Sequence, residues 1–150
     1  YEDGKLFWKS KFSIYSSIKI GKEAGSITSE GYRNVKINNK IYPIHRLIFI
    51  YHYGYCPKFI DHINGIKNDN RIENLRPATA SENQYNKKIQ KNNTSGIKGV
   101  SWSKTHKKWQ VQLMVNKKAI HFGYYFDLKI AEFIAQIMRN KYHKSFSCFY

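Results

Sequence analysis

The sequence predicts an α+β protein with one small module in each half of the chain. In the N-terminal half, apolar and polar residues alternate on both sides of Asn38-Asn39, which is the pattern of a β-hairpin with a tight turn. In the C-terminal half, three strand-like segments between residues 99 and 126 precede a helix that Asp127 can cap and that runs to about His143. A chain of 150 residues is long enough for one ordinary domain or two small ones.

Two further helices are predicted between the hairpin and the C-terminal strands. The first follows Pro43, has apolar residues at helical spacing over residues 44–51 and can end at Gly54. The second begins with a capping box, in which Thr79 is the N-cap and Glu82 reaches back to it.

A polar and basic stretch after the second of these helices is the best candidate for a linker. It covers residues 87–95 and has the composition of a connecting segment rather than of a packed element. We therefore predict an N-terminal module over residues 1–86, with a β-rich lead-in at 1–43, and a C-terminal module over residues 96–150.

The charge of the chain indicates a polyanionic partner. Lys and Arg number 26 against 10 Asp and Glu, a formal net charge of +16, and residues 87–150 carry 13 of the basic and two of the acidic side chains. An aromatic content of 16% favours folded nucleic-acid-binding modules over a basic tail. The alternative is a basic surface that serves only solubility.

Other classes of protein are disfavoured by composition. No apolar stretch approaches the roughly 20 residues that span a bilayer, no signal peptide is visible and no strongly basic amphipathic helix favours a membrane surface. Cys56 and Cys148 lack zinc-ligand spacing, and two lone thiols suit a reducing compartment. We therefore expect a cytoplasmic location and no membrane partner.

Four sequence blocks resemble the ββα-metal fold of HNH nucleases, especially the homing-endonuclease branch known from phages. They occur in the family's order: His45-Arg46, then DHING at 61–65, RIENLR at 71–76, and SEN at 81–83. The lead-in over residues 1–43 matches the usual lead-in of such nucleases less specifically. The resemblance implies a metal-dependent DNA endonuclease acting in a bacterial cell or a phage-infected host.

The residue types in these blocks suit phosphodiester hydrolysis. A neutral imidazole at His62 can act as the general base, because it can accept a proton near pH 7. Asp61 and the amide oxygen of Asn83 are hard oxygen ligands that suit one Mg²⁺ or Mn²⁺ ion per active site. Asn74 is expected to tie the loop back by hydrogen bonds and so to fix the direction of His62. The family often has His where this chain has Asn83, which weakens any expectation of zinc.

Basic side chains around these blocks are candidate phosphate contacts. For each of them, an ordinary solvated charge is the alternative. His45 is expected to pack or to contact phosphate, and His52, His106 and His143 are assigned no role. The candidate contacts are Arg46, Lys67, Arg71 and Arg76.

The C-terminal third resembles the Apetala2-type DNA-binding domain of plant ethylene-response factors, in which three antiparallel strands are backed by one helix. The landmarks are Gly99-Val100, Trp109, Phe122-Gly123, Phe126-Asp127 and Ala131. Period-two alternation predicts an inward face of Val100, Trp102, Trp109, Val111, Leu113, Ile120 and Phe122. The outward face and its turns would then contact DNA through Lys98, Ser101, Ser103, Lys104, Gln110, Gln112, Lys117, Lys118 and His121. The plant domains use several Arg and a Trp on this face, so their recognition sequence is not expected here.

These observations favour a site-specific or homing-type endonuclease that acts on double-stranded DNA, with a homodimer on DNA compatible with the sequence. One alternative is a non-catalytic, sequence-specific DNA-binding regulator on a degenerate nuclease scaffold. Another is an RNA-binding protein, because basic and aromatic residues also suit RNA.

Overall fold

Small antiparallel sheets and short helices alternate along the chain. A computed structural model describes residues 1–11, 17–90 and 92–147 and divides the chain into two units, Tyr1–Ala78 and Thr79–Tyr150. The elements are β1 (Ser26–Ile27), β2 (Arg33–Ile37), β3 (Lys40–Pro43), α1 (Ile44–Tyr53), β4 (Phe59–His62), β5 (Leu75–Ala78), α2 (Ala80–Tyr85), β6 (Val100–Ser103), β7 (Lys108–Val115), β8 (Lys118–Tyr125) and α3 (Leu128–His143). This architecture confirms the predicted α+β class, and β4, β5 and α2 follow one another within residues 59–85.

The predicted N-terminal hairpin is confirmed. Strands β2 and β3 pair in antiparallel fashion up to Ile37 and Lys40, and β1 pairs with the other edge of β2. Asn38 and Asn39 connect the strands with φ angles of 47° and 63°. Asparagine tolerates this left-handed conformation, and two such residues give the turn whose twist matches that of a hairpin.

Helix α1 supplies three of the seven buried residues in the hydrophobic core cluster of the first unit, more than any other element. It begins directly after Pro43 and ends at Gly54, whose φ of 74° allows its N–H to bond the carbonyl of Ile50. Its buried side chains are Ile44, Ile48 and Phe49, spaced to lie on one face. They pack in one cluster with Ala24, Val35, Ile60 and Leu75, so that the helix joins the lead-in sheet to β4 and β5.

Strands β4 and β5 form a two-stranded ladder that brackets the polar segment of residues 63–74. Asp61 lies opposite Arg76, and His62 lies opposite Leu75. A 3₁₀ turn at Ile72–Asn74 leads into β5. The ladder therefore holds the two ends of the segment side by side.

The predicted capping box at the start of α2 is present. Thr79 Oγ1 accepts a hydrogen bond from the N–H of Glu82, and Glu82 Oε2 accepts one from the N–H of Thr79. Helix α2 belongs to the second unit, whereas the sequence-based boundary placed it in the N-terminal module; that functional boundary stays a prediction.

The second unit contains the predicted three-stranded sheet backed by a helix. The strand order is β6-β7-β8, and Asp127 caps α3 by accepting from the N–H of Lys129 at 2.6 Å. Ala131 and Ala135 are fully buried against Val100 and Val111, because alanine lets the helix approach the sheet closely.

Apolar residues at helical spacing predict that the C-terminal helix buries Leu128, Ala131, Ala135, Met138 and Tyr142, and the buried row of α3 differs from this face. The residues that the structure buries are Ala131, Ala135, Arg139 and His143, which follow at intervals of four. His143 stacks on Tyr85 at 3.8 Å between ring centroids and lies 2.9 Å from the carbonyl of Met114. The sequence pattern missed these two polar side chains because it counted apolar residues only.

Trp102 is not packed under the helix, so this part of the predicted inward face is wrong. Its side chain is 44% exposed, and its ring lies edge-on to Trp109 at 5.0 Å. Trp102 lies near the end of the short edge strand β6 and outside the cluster that α3 covers. Alternation identifies the face of a residue but not whether the covering helix reaches it.

A β-bulge changes which residues of β8 face outward. Gln110 pairs with Tyr124 and Gln112 pairs with His121, so β8 has one residue more than β7 in this interval. Gly123 in the bulge has a φ of 116°. As a result His121 and Tyr124 share the outward face, where their rings lie 4.4 Å apart.

The composition led to expectations about membrane-spanning segments and about the two cysteines. None of the helices in the described ranges has the length and apolarity needed to cross a membrane. Cys56 is a free thiol, while Cys148 lies outside the described residues.

Gly25 is expected to be essential for the lead-in sheet. Its φ is +83°, and a Cβ there would come within 2.4 Å of the carbonyl oxygen of Asn34. Gly25→Ala should therefore destabilise the first unit by well over the roughly 1–2 kcal/mol that a left-handed conformation alone costs. Gly21→Ala is the matched control, because its φ is +79° and no atom lies within 4 Å of the new Cβ. Urea unfolding of both variants measures the difference, and equal midpoints would contradict the prediction.

Candidate active site

His62 lies at the end of β4 with its imidazole buried. Only 5% of the residue is exposed, and Nε2 lies 3.1 Å from Oδ1 of Asn70, which is itself 2% exposed. With an amide oxygen as acceptor, Nε2 carries the proton and Nδ1 carries the lone pair of the neutral ring. Asn70 was not singled out from the sequence, because nothing distinguishes it from the other Asn residues of the loop.

The surroundings of His62 favour its neutral form. Burial lowers the pKa of His62 below the usual 6.5, and the hydrogen bond that His62 donates to Asn70 and the negative charge of Asp61 oppose this shift without reversing it. His62 is therefore expected to be neutral at pH 7. A neutral imidazole is the form that can accept a proton.

The rings of His45 and Tyr32 lie next to that of His62. His45, on α1, lies edge-on to His62 with ring centroids 5.2 Å apart, and Tyr32 lies 5.5 Å from His45 and 6.0 Å from His62. Burial, followed by the proximity of His62 and Arg46, lowers the pKa of His45 to about 4. Nδ1 of His45 is buried and has no hydrogen-bond partner among the described residues. His45 therefore packs against the candidate base as a neutral ring.

Asp61 is buried together with Arg76. The guanidinium contacts Oδ2 of Asp61 through Nε at 2.8 Å and through Nη2 at 2.7 Å, and both side chains are at least 85% buried. Arg76 was predicted as a phosphate contact; in the structure its guanidinium balances the buried carboxylate. The pair lies across the β4–β5 ladder, so the strand register positions it directly.

The loop between β4 and β5 is held by its own polar side chains. Asn74 Oδ1 accepts from the N–H of Asn64 at 3.0 Å, and Asn74 Nδ2 donates to the carbonyl of Asp69 at 2.7 Å. Arg71 donates twice to Asp69 at 2.8 Å, and this contact lowers the pKa of Asp69 to about 2. These bonds fix the segment that carries Asn70.

The start of the chain also supports this loop. The N–H of Ile72 donates to the hydroxyl of Tyr1 at 3.3 Å, and Gly4 lies so close that a Cβ would come within 2.6 Å of the backbone nitrogen of Arg71. This contact was not predicted from the sequence.

The remaining predicted contacts of the first unit have neutral partners. Arg46 donates to the carbonyl of Lys58 at 3.3 Å, and Lys67 donates to the carbonyl of Glu30 at 2.9 Å. Neither partner neutralises the positive charge, and both side chains remain predicted DNA contacts.

The oxygen atoms of Asp61 and of the nearby amide side chains suit a hard divalent cation that takes few of its ligands from the protein. The described residues include no group of three or more His, Cys, Asp and Glu side chains that could hold a metal ion. The fit therefore depends on the buried Asp61 carboxylate, an amide oxygen, and oxygens of water and substrate, which is how Mg²⁺ is often bound. Asp61 belongs to the first unit and Asn83 to the second, so their pairing stays a prediction.

The outward face of the C-terminal sheet presents polar and aromatic side chains. Gln110 Nε2 donates to Gln112 Oε1 at 2.8 Å, and His106 stacks on Tyr124 at 4.0 Å. Lys98 is engaged within the unit, because its ammonium donates to the carbonyls of Tyr85 and Lys87, and it stays a predicted DNA contact. The other predicted contacts of this unit are Ser101, Lys104, Lys117, Lys118 and His121, which are exposed, and Ser103, whose Oγ lies 3.1 Å from Nδ1 of His106.

Comparison with known proteins identifies the family. A family model described as HNH endonuclease matches residues 42–85, the stretch from α1 to α2. Protein 3.8 of Escherichia phage T7 is 38% identical over 90 residues, which cover 59% of this chain and 72% of the phage protein. The chain belongs to the Protein 3.8 family. Its HNH endonuclease domain contains Asp61, His62, Asn74 and Asn83. No solved structure matches the chain.

The partly buried His45 of this HNH domain is expected to make the fold sensitive to acid. Its folded-state pKa of about 4 lies below the usual 6.5, so stability is complete above pH 6.5 and is lost as the pH falls towards 4. A shift of this size corresponds to a few kcal/mol, at about 1.4 kcal/mol per pKa unit.

His45→Leu tests this expectation, because leucine cannot bind a proton. Urea unfolding at pH 7 and at pH 5 should show a smaller loss of stability for this variant than for the wild type. His52→Leu, at the other end of α1, is the control. An equal loss in His45→Leu and wild type would contradict the assignment.

Proposed function

We propose that the protein is a metal-dependent DNA endonuclease of homing or site-specific type. In this proposal His62 is the general base that takes the proton from the attacking water. Asp61 and Asn83 would hold one Mg²⁺ or Mn²⁺ ion, which when bound stabilises negative charge on the phosphate and the leaving oxygen. The substrate is the phosphodiester backbone of double-stranded DNA.

The observation that carries this proposal is the environment of His62. The imidazole is kept neutral by burial and oriented by Asn70. The preceding residue, Asp61, is a buried carboxylate whose negative charge acts on the imidazole. General-base help of this kind contributes roughly 10²–10⁴ in rate. The match to the HNH endonuclease model over the same residues supports this interpretation.

Within the proposal, the first unit supplies orientation and the second supplies affinity. Asn74 holds the loop between β4 and β5, and Asn70 in that loop orients the ring of His62. The base therefore needs little reorganisation when DNA binds. The sheet of the second unit would dock on DNA through its outward face. This role is favoured by the exposed Lys, Gln and His side chains there and by the resemblance to Apetala2-type domains.

The alternative proposal is a sequence-specific DNA-binding regulator without catalytic activity. A binding protein has no need to bury a carboxylate and a neutral imidazole at consecutive positions of one strand, since both lower stability unless they are compensated. The buried Asp61 and His62 therefore favour the endonuclease.

Substitution of the base provides the main test. The wild-type chain should nick or cut supercoiled plasmids from a pool carrying fragments of phage genomes, in the presence of Mg²⁺ but not of EDTA. His62→Ala should reduce cleavage by about 10²–10⁴, the range for general-base catalysis, while DNA affinity stays within about twofold.

The exposed His52 provides the matched control, and His52→Ala should cleave like the wild type. Cleavage by His62→Ala at the wild-type rate would reject the mechanism. DNA binding without cleavage by any of the proteins would favour the regulator.

The docking role of the sheet predicts a change in salt dependence. Replacing both Lys117 and Lys118 by Ala should weaken binding to duplex DNA and lower the slope of log affinity against log salt by about 2, roughly 1 for each phosphate contact. The control is Lys129→Ala with Lys141→Ala, because these exposed residues lie on α3, which backs the opposite face of the sheet. Equal effects of the two double variants would contradict a DNA contact by the outward face.

A further inference from the structure

The turn between β1 and β2 places an aromatic ring beside the candidate active site. The N–H of Thr28 donates to the carbonyl of Tyr32 at 2.7 Å, and the N–H of Gly31 donates to the carbonyl of Thr28 at 2.9 Å. The backbone of Tyr32 is therefore fixed. Its ring lies 6.0 Å from that of His62, although Tyr32 precedes the stretch that matches the HNH endonuclease model.

Lys67 connects this ring to the loop that carries Asn70. Its ammonium donates to the carbonyl of Glu30 at 2.9 Å and lies 4.8 Å from the centroid of the Tyr32 ring, the geometry of a cation–π contact. Lys67 is otherwise an exposed residue of a polar loop. Two contacts from one turn therefore hold a side chain that would be mobile without them.

The charge of this held lysine is not neutralised by either partner. The carbonyl of Glu30 and the ring of Tyr32 are both uncharged. The carboxylate of Glu30 attracts the ammonium from beyond salt-bridge distance, so it offsets the charge only in part, whereas Arg71 and Arg76 are each paired directly with a carboxylate. An ammonium has three donor hydrogens, and a carbonyl and a ring face do not use them all. The ammonium therefore keeps its charge and a donor for an anion near His62.

We propose that Tyr32 is a substrate-positioning residue, which holds the ammonium of Lys67 so that it binds a backbone phosphate of the DNA strand next to His62. The inference rests on the proposed function for its substrate, DNA. Tyr32 acts through Lys67 rather than on the reacting atoms. Because the lysine is already ordered, DNA binding loses less side-chain entropy.

A double-mutant cycle in DNA binding tests the coupling between the two residues. Fluorescence anisotropy with a labelled duplex of random sequence, in EDTA and at several salt concentrations, gives the affinity and its salt slope without cleavage. The variants are Tyr32→Leu, Tyr32→Phe, Lys67→Ala and the double variant Tyr32→Leu/Lys67→Ala, with Lys36→Ala as the control for an exposed lysine of the same unit.

Lys67→Ala should weaken binding about 3- to 10-fold and lower the salt slope by about 1, as loss of one phosphate contact does. Tyr32→Leu should weaken binding about 2- to 5-fold in the wild-type background and have no effect in the Lys67→Ala background. Tyr32→Phe keeps the ring face and should bind like the wild type. Lys36→Ala should change binding less than Lys67→Ala.

A purely structural role of Tyr32 would weaken binding equally in both backgrounds, and that result would overturn the proposal. An unchanged salt slope in Lys67→Ala would overturn it as well. The double-mutant cycle and the plasmid assay can fail independently. Coupling between Tyr32 and Lys67 without cleavage by the wild-type chain would retain the positioning role and reject the nuclease. Cleavage without coupling would retain the nuclease and reject the positioning role. Absence of any DNA binding by the wild-type chain would overturn both.

Discussion

The burial of a neutral imidazole at the end of β4 is the constraint on which the first unit depends. A buried N–H must have an acceptor, because an unsatisfied polar group costs roughly 1–3 kcal/mol. The acceptor for His62 is Asn70, which lies in a loop rather than in a strand or helix. The loop must therefore be held in place, and its Asn, Asp and Arg side chains bond its own backbone and each other for that reason.

The second constraint is the buried carboxylate of Asp61. An isolated carboxylate in this position would be costly, and Arg76 compensates it across the ladder. In the proposed nuclease, a divalent cation would bind a carboxylate whose Oδ2 already contacts a guanidinium, and the two cations repel each other. Anionic oxygens of the substrate would reduce this repulsion. Metal affinity is therefore expected to be low without DNA and to rise when DNA is bound.

Local signals in the sequence were enough to predict most of the helices, strands and turns. Asn38-Asn39, Gly54, Thr79 with Glu82, and Asp127 each specify an end or a turn through their own backbone preferences, so they could be identified without tertiary information. The exposure of Trp102 and the bulge at Gly123 could not be predicted in this way, because they depend on how far α3 extends over the sheet and on how β8 pairs with β7. Period-two counting assumes an unbroken ladder and a fully covered sheet.

The candidate site shows the same division between local and distant information. Asp61, His62 and Asn74 stand in recognisable blocks, but their partners are set by packing: His45 comes from α1, Tyr32 from the lead-in turn, and Asn70 is one of several similar loop residues. No spacing rule links residues 32, 45 and 62, which meet only because α1 packs between the lead-in sheet and β4. Distances of this kind require coordinates.

The distribution of charge suits the different roles that the proposal assigns to the two units. Residues 1–78 carry 13 basic and seven acidic side chains, and several of these are paired within the candidate site, whereas residues 79–150 carry 13 basic and three acidic ones. A long-range attraction to phosphate depends on net charge, while proton transfer depends on a few buried groups at fixed distances. Excess positive charge close to His62 and His45 would disfavour their protonated forms and would compete with a cation at Asp61. The larger share of the net positive charge therefore lies in the unit that the proposal assigns to DNA affinity, whereas Arg71 and Arg76 of the first unit are paired with carboxylates within the candidate site.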